Sequence, residues 1–162
     1  MQVYFPAPLE YQDFPKAEMN AVMEAMKNVL HSWAYLPSGS IGAPVEGPAP
    51  LQLERSVRLS GRALGYLNVR TNPELSKILA EYAQGEPVAV ENQEDAFHEF
   101  VNIFCGHLMT YLWGKEGKGF DSFLPIPTTP ADWPITSPAA SCAFIVEDIP
   151  VEVRLWIKGD RH

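Results

Sequence analysis

A chain of 162 residues, 46% of them hydrophobic, is long enough for one domain with an ordinary buried core. Its formal net charge of −8 comes from 20 acidic against 12 basic side chains, with no stripe of Lys or Arg. Nucleic acid and anionic membrane are therefore not expected as partners, since clustered basic residues hold both.

No run approaches the ~18 apolar residues of a membrane span. Residues 1–8 lack a basic region followed by an apolar stretch, so no secretory signal is expected and the protein is placed in the cytoplasm. Two cysteines, Cys105 and Cys142, make no disulfide framework and are expected as small core residues.

Residues 1–15, rich in proline and aromatic side chains, have no helical period. They are expected to form an extended lead-in to a single domain whose core spans 16–158. Met19, Val22, Met23, Met26, Leu30 and Trp33 recur at helical spacing and predict an amphipathic helix over 16–33. Residues 37–50 hold three glycines and four prolines, which predicts a loop.

Alternation through Leu51, Leu53 and Val57, then through Leu64, Tyr66 and Asn68, predicts strands over 51–60 and 62–70 with Gly61 at the turn. Asn72 as N-cap and Pro73 in the first helical position open a second helix. Leu75, Ile78, Leu79 and Tyr82 form its apolar face, and Gly85 closes it. Asn92 with Asp95 resembles a capping box, opening a long helix that runs to about Trp113 and is broken by Gly114, Gly117 and Gly119.

Segments of β type follow at 120–126, 140–146 and 151–158, while the Pro-rich interval 125–138 is expected to be irregular. The order α-β-β-α, then α-β-β-β, predicts an α+β fold. Two long helices would pack on a largely antiparallel β-sheet built from pseudo-duplicated α-β-β halves.

Turning about 100° per residue along 95–113 places Phe97, Phe100, Val101, Phe104, Leu108, Tyr111 and Leu112 on one broad apolar face, expected to be buried. Asp95, Glu99, Asn102, Gly106 and Thr110 fall on the opposite, solvent side. Glu99 and Asn102, three residues apart, are surface neighbours. A carboxylate that captures a cation beside a carboxamide that orients a water is a compact hydrolytic pair.

Gly106 lies one turn beyond Asn102, and a helical glycine costs about 1 kcal/mol relative to alanine. Close approach of another backbone or a partner is one reason to tolerate it. The plain alternative is a solvated helix face with Gly106 packed on a neighbouring element. Other chemistries are poorly supported. His98, Asn102 and Cys105 share the helix at metal-ligand spacing, but no acid completes the set. No Gly-x-Ser-x-Gly elbow is present, and Gly61 to Gly65 lacks the Gly-Lys-Ser/Thr ending of a phosphate loop.

The run Glu99-Phe-Val-Asn102-Ile-Phe-Cys-Gly106 resembles the signature helix of the CheC/CheX/FliY family of chemotaxis phosphatases, most closely the CheX type. The frame is similar too: the strand from Gly61 to Val69, the helix over 73–84 ending in Gly85-Glu86, and the Pro-containing Phe123-Leu-Pro-Ile-Pro127. The resemblance covers roughly residues 16–158 and implies a CheC/CheX-like fold. It further implies a phosphatase acting on the phospho-aspartate of a CheY-like response regulator receiver domain. Asn102 would orient the attacking water and Glu99 would pair with a receiver lysine, with Asp95, Gly106 and Thr110 beside them on the docking face.

Mg²⁺ would belong to the receiver, so no cofactor is expected on this chain, and a homodimer is implied. CheC-type relatives carry a second signature on the first long helix. Here that helix offers Glu24-Ala-Met-Lys27 with Asn28 displaced by one, so a single site is expected. The alternative is a non-catalytic CheX-like module that binds a receiver domain or other signalling partner without hydrolysing anything.

Overall fold

Helices with one apolar face and strands with alternating side chains shield each other when the helices lie on one face of a sheet. The computed structural model describes residues 16–34, 41–42, 53–60, 64–86, 88–113, 121–122 and 124–158. In chain order these form α1 (Lys16–Val29), prolonged by a π-helical turn Leu30–Ala34, then β1 (Ile41–Gly42), β2 (Leu53–Ser60), β3 (Leu64–Thr71), α2 (Pro73–Gln84) and α3 (Val90–Trp113). They continue with β4 (Asp121–Ser122), β5 (Ile126–Pro127), a 3-10 turn Pro130–Asp132, β6 (Ala140–Val146) and β7 (Ile149–Lys158).

The strands pair antiparallel in the order β1-β6-β7-β3-β2-β4, with β5 also on β2. Two hairpins, β2–β3 and β6–β7, therefore meet through β3 and β7, where Leu67 faces Leu155 and Val69 faces Val153. The helix before each hairpin, α1 or α3, packs against the other over the sheet. This is the duplicated α-β-β layout expected from the order of elements.

The β6–β7 turn places both central residues, Glu147 and Asp148, at positive φ (52° and 64°), the twist a two-residue hairpin needs. Gly85 ends α2 at φ 74°, its N–H donating to the Glu81 carbonyl at 2.8 Å. Asn72 takes the extended N-cap conformation, but its side chain makes no capping bond. The Ser76 hydroxyl donates to the Gln93 carbonyl and ties α2 to α3.

The core lies between helices and sheet. Phe97, Phe100 and Phe104 of α3 stack in series and are fully buried with Met19, Met26, Leu30, Leu75 and Leu79. From the sheet come Leu67, Val69, Val151, Val153 and Leu155.

Several expectations need correction. Ile41–Gly42, inside the predicted loop, pairs with Phe144 and Ala143 of β6. In β3 it is Leu67 and Val69 that face the core, while Leu64 is exposed, so the alternation belongs one residue over, and such a shift exchanges the faces. α3 begins at Val90, before Asn92, so Asn92 and Asp95 lie within the helix and are no capping box. Tyr111, expected on the buried face, is 46% exposed. Of the predicted strand 120–126, Asp121, Ser122 and Ile126 pair with β2 among the described residues, and the interval 125–138 holds β5 and the 3-10 turn. Residues 1–15, Gly61, Gly114, Gly117 and Gly119 lie outside the described residues.

The 3-10 segment is held because the sheet's outer face is polar. Glu54 Oε2 accepts from Asn68 Nδ2 at 2.9 Å, Thr128 Oγ1 at 3.1 Å and Trp133 Nε1 at 2.8 Å. Arg70 Nε sits 3.0 Å from Glu54 Oε1, close enough for an ion pair although its N–H is not aimed for a hydrogen bond. Glu152 Oε1 takes Arg70 at 3.2 Å and Arg154 at 3.1 Å. Both guanidinium groups lie over the Trp133 ring, 5.4 and 4.5 Å from its centroid. The Trp156 indole N–H adds a 2.8 Å bond to the Thr136 carbonyl.

Candidate functional site

The phenylalanine series fixes how α3 is rotated, and so fixes which side chains it presents. Asp95, Glu99 and Gly106 are exposed, and Asn102 and Thr110 are half-buried, all on the side away from the stacked rings. Among the described residues, the side chains of Asp95, Glu99 and Asn102 have no hydrogen-bond or ion-pair partner. A carboxylate and a carboxamide at helix-neighbour spacing thus stand with their bonding capacity unspent. Thr110 differs: its hydroxyl donates back to the Gly106 carbonyl at 3.1 Å, a local bond within the helix.

A Cβ at Gly106 would meet nothing within 4 Å among the described residues. No described element packs on Gly106, and toward the described residues the helix surface is open there. Gly106→Ala is expected to raise stability by about 0.5–1 kcal/mol in a urea melt, because helix propensity is gained and no contact opposes it. A fall in stability would show that the space is filled.

On α1, the residues nearest to a second signature have partners of their own. Glu24 and Lys27 pair with each other at 3.6 Å, and the Asn28 amide donates to the Tyr111 hydroxyl. The Asn28 bond accounts for the outward position of Tyr111. Of the other candidates, His98 and His107 are half-buried. Cys105 and Cys142 are both buried. Burial pushes the Cys142 thiol far up, only partly opposed by nearby Arg154, so it stays protonated and is no nucleophile. Among the described residues no group of three His, Cys, Asp or Glu side chains is placed to hold a metal.

Sequence reasoning missed a groove beside Glu99. Its volume is about 480 Å³, and Trp33, Val88, Ala80, Ala96, Asp95 and Glu99 line it. Trp33 packs against Phe100 with ring centroids 6.2 Å apart. Helical periodicity marks Trp33 as apolar, but nothing local shows that the π-helical turn carries it to the N-terminal half of α3.

No protein-family model matches the sequence, and no curated protein matches it. Solved structures do. A CheX chemotaxis protein from Desulfovibrio desulfuricans superposes with a TM-score of 0.66 at 17% identity, covering 87% of this chain and 99% of that one. The CheX-CheY-BeF3-Mg²⁺ complex from Borrelia burgdorferi gives 0.67 at 18% identity, covering 88% and 98%. The chain has the CheC/CheX fold. A CheC-like superfamily protein from a Shewanella species agrees at 0.67 and 18% identity, covering 90% and 99%. The CheX-like fold thus spans nearly the whole of these domains, and at such identities the likeness is one of fold.

Proposed function

We propose that the protein hydrolyses the aspartyl phosphate of a CheY-like receiver domain, with Asn102 and Glu99 as its working pair. One observation carries this: the two side chains stand together on an exposed helix face, with no partner among the described residues, beside a glycine on which no described residue packs. The Borrelia burgdorferi relative of the same fold, solved as a complex with CheY, supports a receiver as the partner.

The chemistry asks little of this chain. An aspartyl phosphate already has a good leaving group, a carboxylate with an ordinary pKa of about 3.9. The Asn102 carbonyl oxygen accepts a hydrogen bond from a water and so aims the water's lone pair in line with the P–O bond to be broken. The new bond forms between water oxygen and phosphorus. The carboxylate leaves with the bonding electrons, and the water's protons pass to phosphate and solvent. Mg²⁺ comes with the receiver, where it offsets phosphoryl charge. Glu99 pairs with a receiver lysine and fixes the angle at which Asn102 arrives.

The test is the lifetime of a phosphorylated receiver with and without this protein. Glu99→Ala is expected to raise KM about 30-fold or more, since truncating one partner of a charge pair buried in an interface costs ~2–5 kcal/mol. An unchanged KM would remove Glu99 from the interface. The proposal includes a homodimer, which sedimentation equilibrium would detect; a monomer at assay concentrations would remove that part alone.

A further inference from the structure

The face bearing Glu99 and Asn102 continues into the groove beside it. Two buried small residues, Ala80 and Ala96, leave the space, and the half-buried ring of Trp33 forms a rigid wall against Phe100. Asp95 and Glu99 stand on its lip one turn apart, and among the described residues no cationic side chain lines it. α3 as a whole contains no Lys or Arg.

The helix macrodipole does not account for these charges, because its effect fades within the first turn and both residues lie beyond it. Like charges at this spacing oppose helix formation. A slot with an aromatic and aliphatic wall of Trp33 and Val88 on one side, and Asn92, Asp95 and Glu99 on the other, is complementary to a side chain with an apolar stem and a positive end.

Resting on the receiver-phosphatase proposal, we infer that the groove takes a second basic side chain of the docked receiver, separate from the lysine that pairs with Glu99. Its stem lies along Val88 and Trp33, and its charge meets Asp95. Arginine suits the slot better than lysine, since a flat guanidinium stacks on an indole and offers a carboxylate two N–H groups at once. Asp95 and Trp33 are then specificity residues: they select the receiver and leave the rate of the chemical step alone.

The test measures Kd for a receiver domain activated by beryllofluoride with Mg²⁺, and KM and kcat for the phosphorylated receiver. Asp95 is exposed and has no partner among the described residues, so Asp95→Asn and Asp95→Lys are expected to fold normally. Asp95→Asn is expected to raise Kd and KM together by about five- to tenfold and to leave kcat within about twofold. Asp95→Lys is expected to bind worse still, and to regain affinity for a receiver in which one interface arginine or lysine is changed to glutamate. Unchanged Kd and KM in both variants would overturn the inference while Asn102→Ala still abolished turnover. Binding without hydrolysis by the wild type would remove the phosphatase proposal and leave Kd alone to decide the groove. A wild type that binds no receiver would remove both.

Discussion

Replacing Asn102 with alanine is expected to leave the fold intact and to remove the acceleration of phospho-aspartate decay, a loss of about 100-fold or more in kcat. Asn102 is half-buried on α3 and has no bonding partner among the described residues, so its truncation strands no neighbour. Stability should move by no more than about 0.5 kcal/mol in a denaturant melt. Receiver affinity should also persist, because Glu99 and the rest of the helix face are untouched.

Two further variants at this position separate water placement from simple presence of a polar group. Asn102→Asp keeps the shape but brings negative charge toward a phosphoryl group, so activity is expected to be lost. Asn102→Gln keeps the amide and moves it by one methylene. A misplacement near 1 Å costs about 100-fold when catalysis is positional, so this variant too should be nearly inactive. Full activity in Asn102→Gln would indicate a looser role for the amide.

The largest expected loss of stability lies on the other side of the sheet. Glu54→Ala is expected to cost about 3–5 kcal/mol, the range for breaking a buried charge network by removing one partner. The Glu54 carboxylate is the acceptor for Asn68, Thr128 and Trp133 and the counter-charge for Arg70. Its removal leaves a fully buried amide, an indole N–H and a largely buried guanidinium without that partner.

For a domain of this size the melting temperature should fall by about 6–20 °C, read by circular dichroism. Glu54→Gln, which keeps an acceptor oxygen but not the charge, should lose less than half as much. Below the melting temperature, turnover should be unchanged, since α3 packs on the opposite face. A Glu54→Ala variant as stable as wild type would show that the 3-10 segment needs no anchor on the sheet.

Whether a feature was legible in the sequence depended on whether its cause was local. The α3 stripe of Asp95, Glu99, Asn102 and Gly106 could be read because helical period and a strong phenylalanine face lie in the same 24 residues. α2 was marked at both ends by Pro73 and Gly85, and the β2–β3 pairing by two alternating runs.

What escaped depends on residues distant in the chain. β3 was assigned the wrong face because a buried Asn68 on a polar outer face mimics neither a core nor a solvent pattern. β1 exists through two pairings to β6 about a hundred positions later. Tyr111 turns outward to meet Asn28 of α1. The groove needs Trp33 from the end of α1, Ala80 from α2 and Asp95 from α3 at once. No single helical wheel contains all three.

The most direct measurement is phosphate release from a phosphorylated receiver present in excess over this protein, with Mg²⁺, using wild type, Asn102→Ala and Glu99→Ala. The expected result is many turnovers per wild-type molecule, the uncatalysed rate with Asn102→Ala and a strongly reduced rate with Glu99→Ala. Receiver binding with an unchanged phospho-aspartate lifetime would contradict catalysis and establish a binding module on the same helix face.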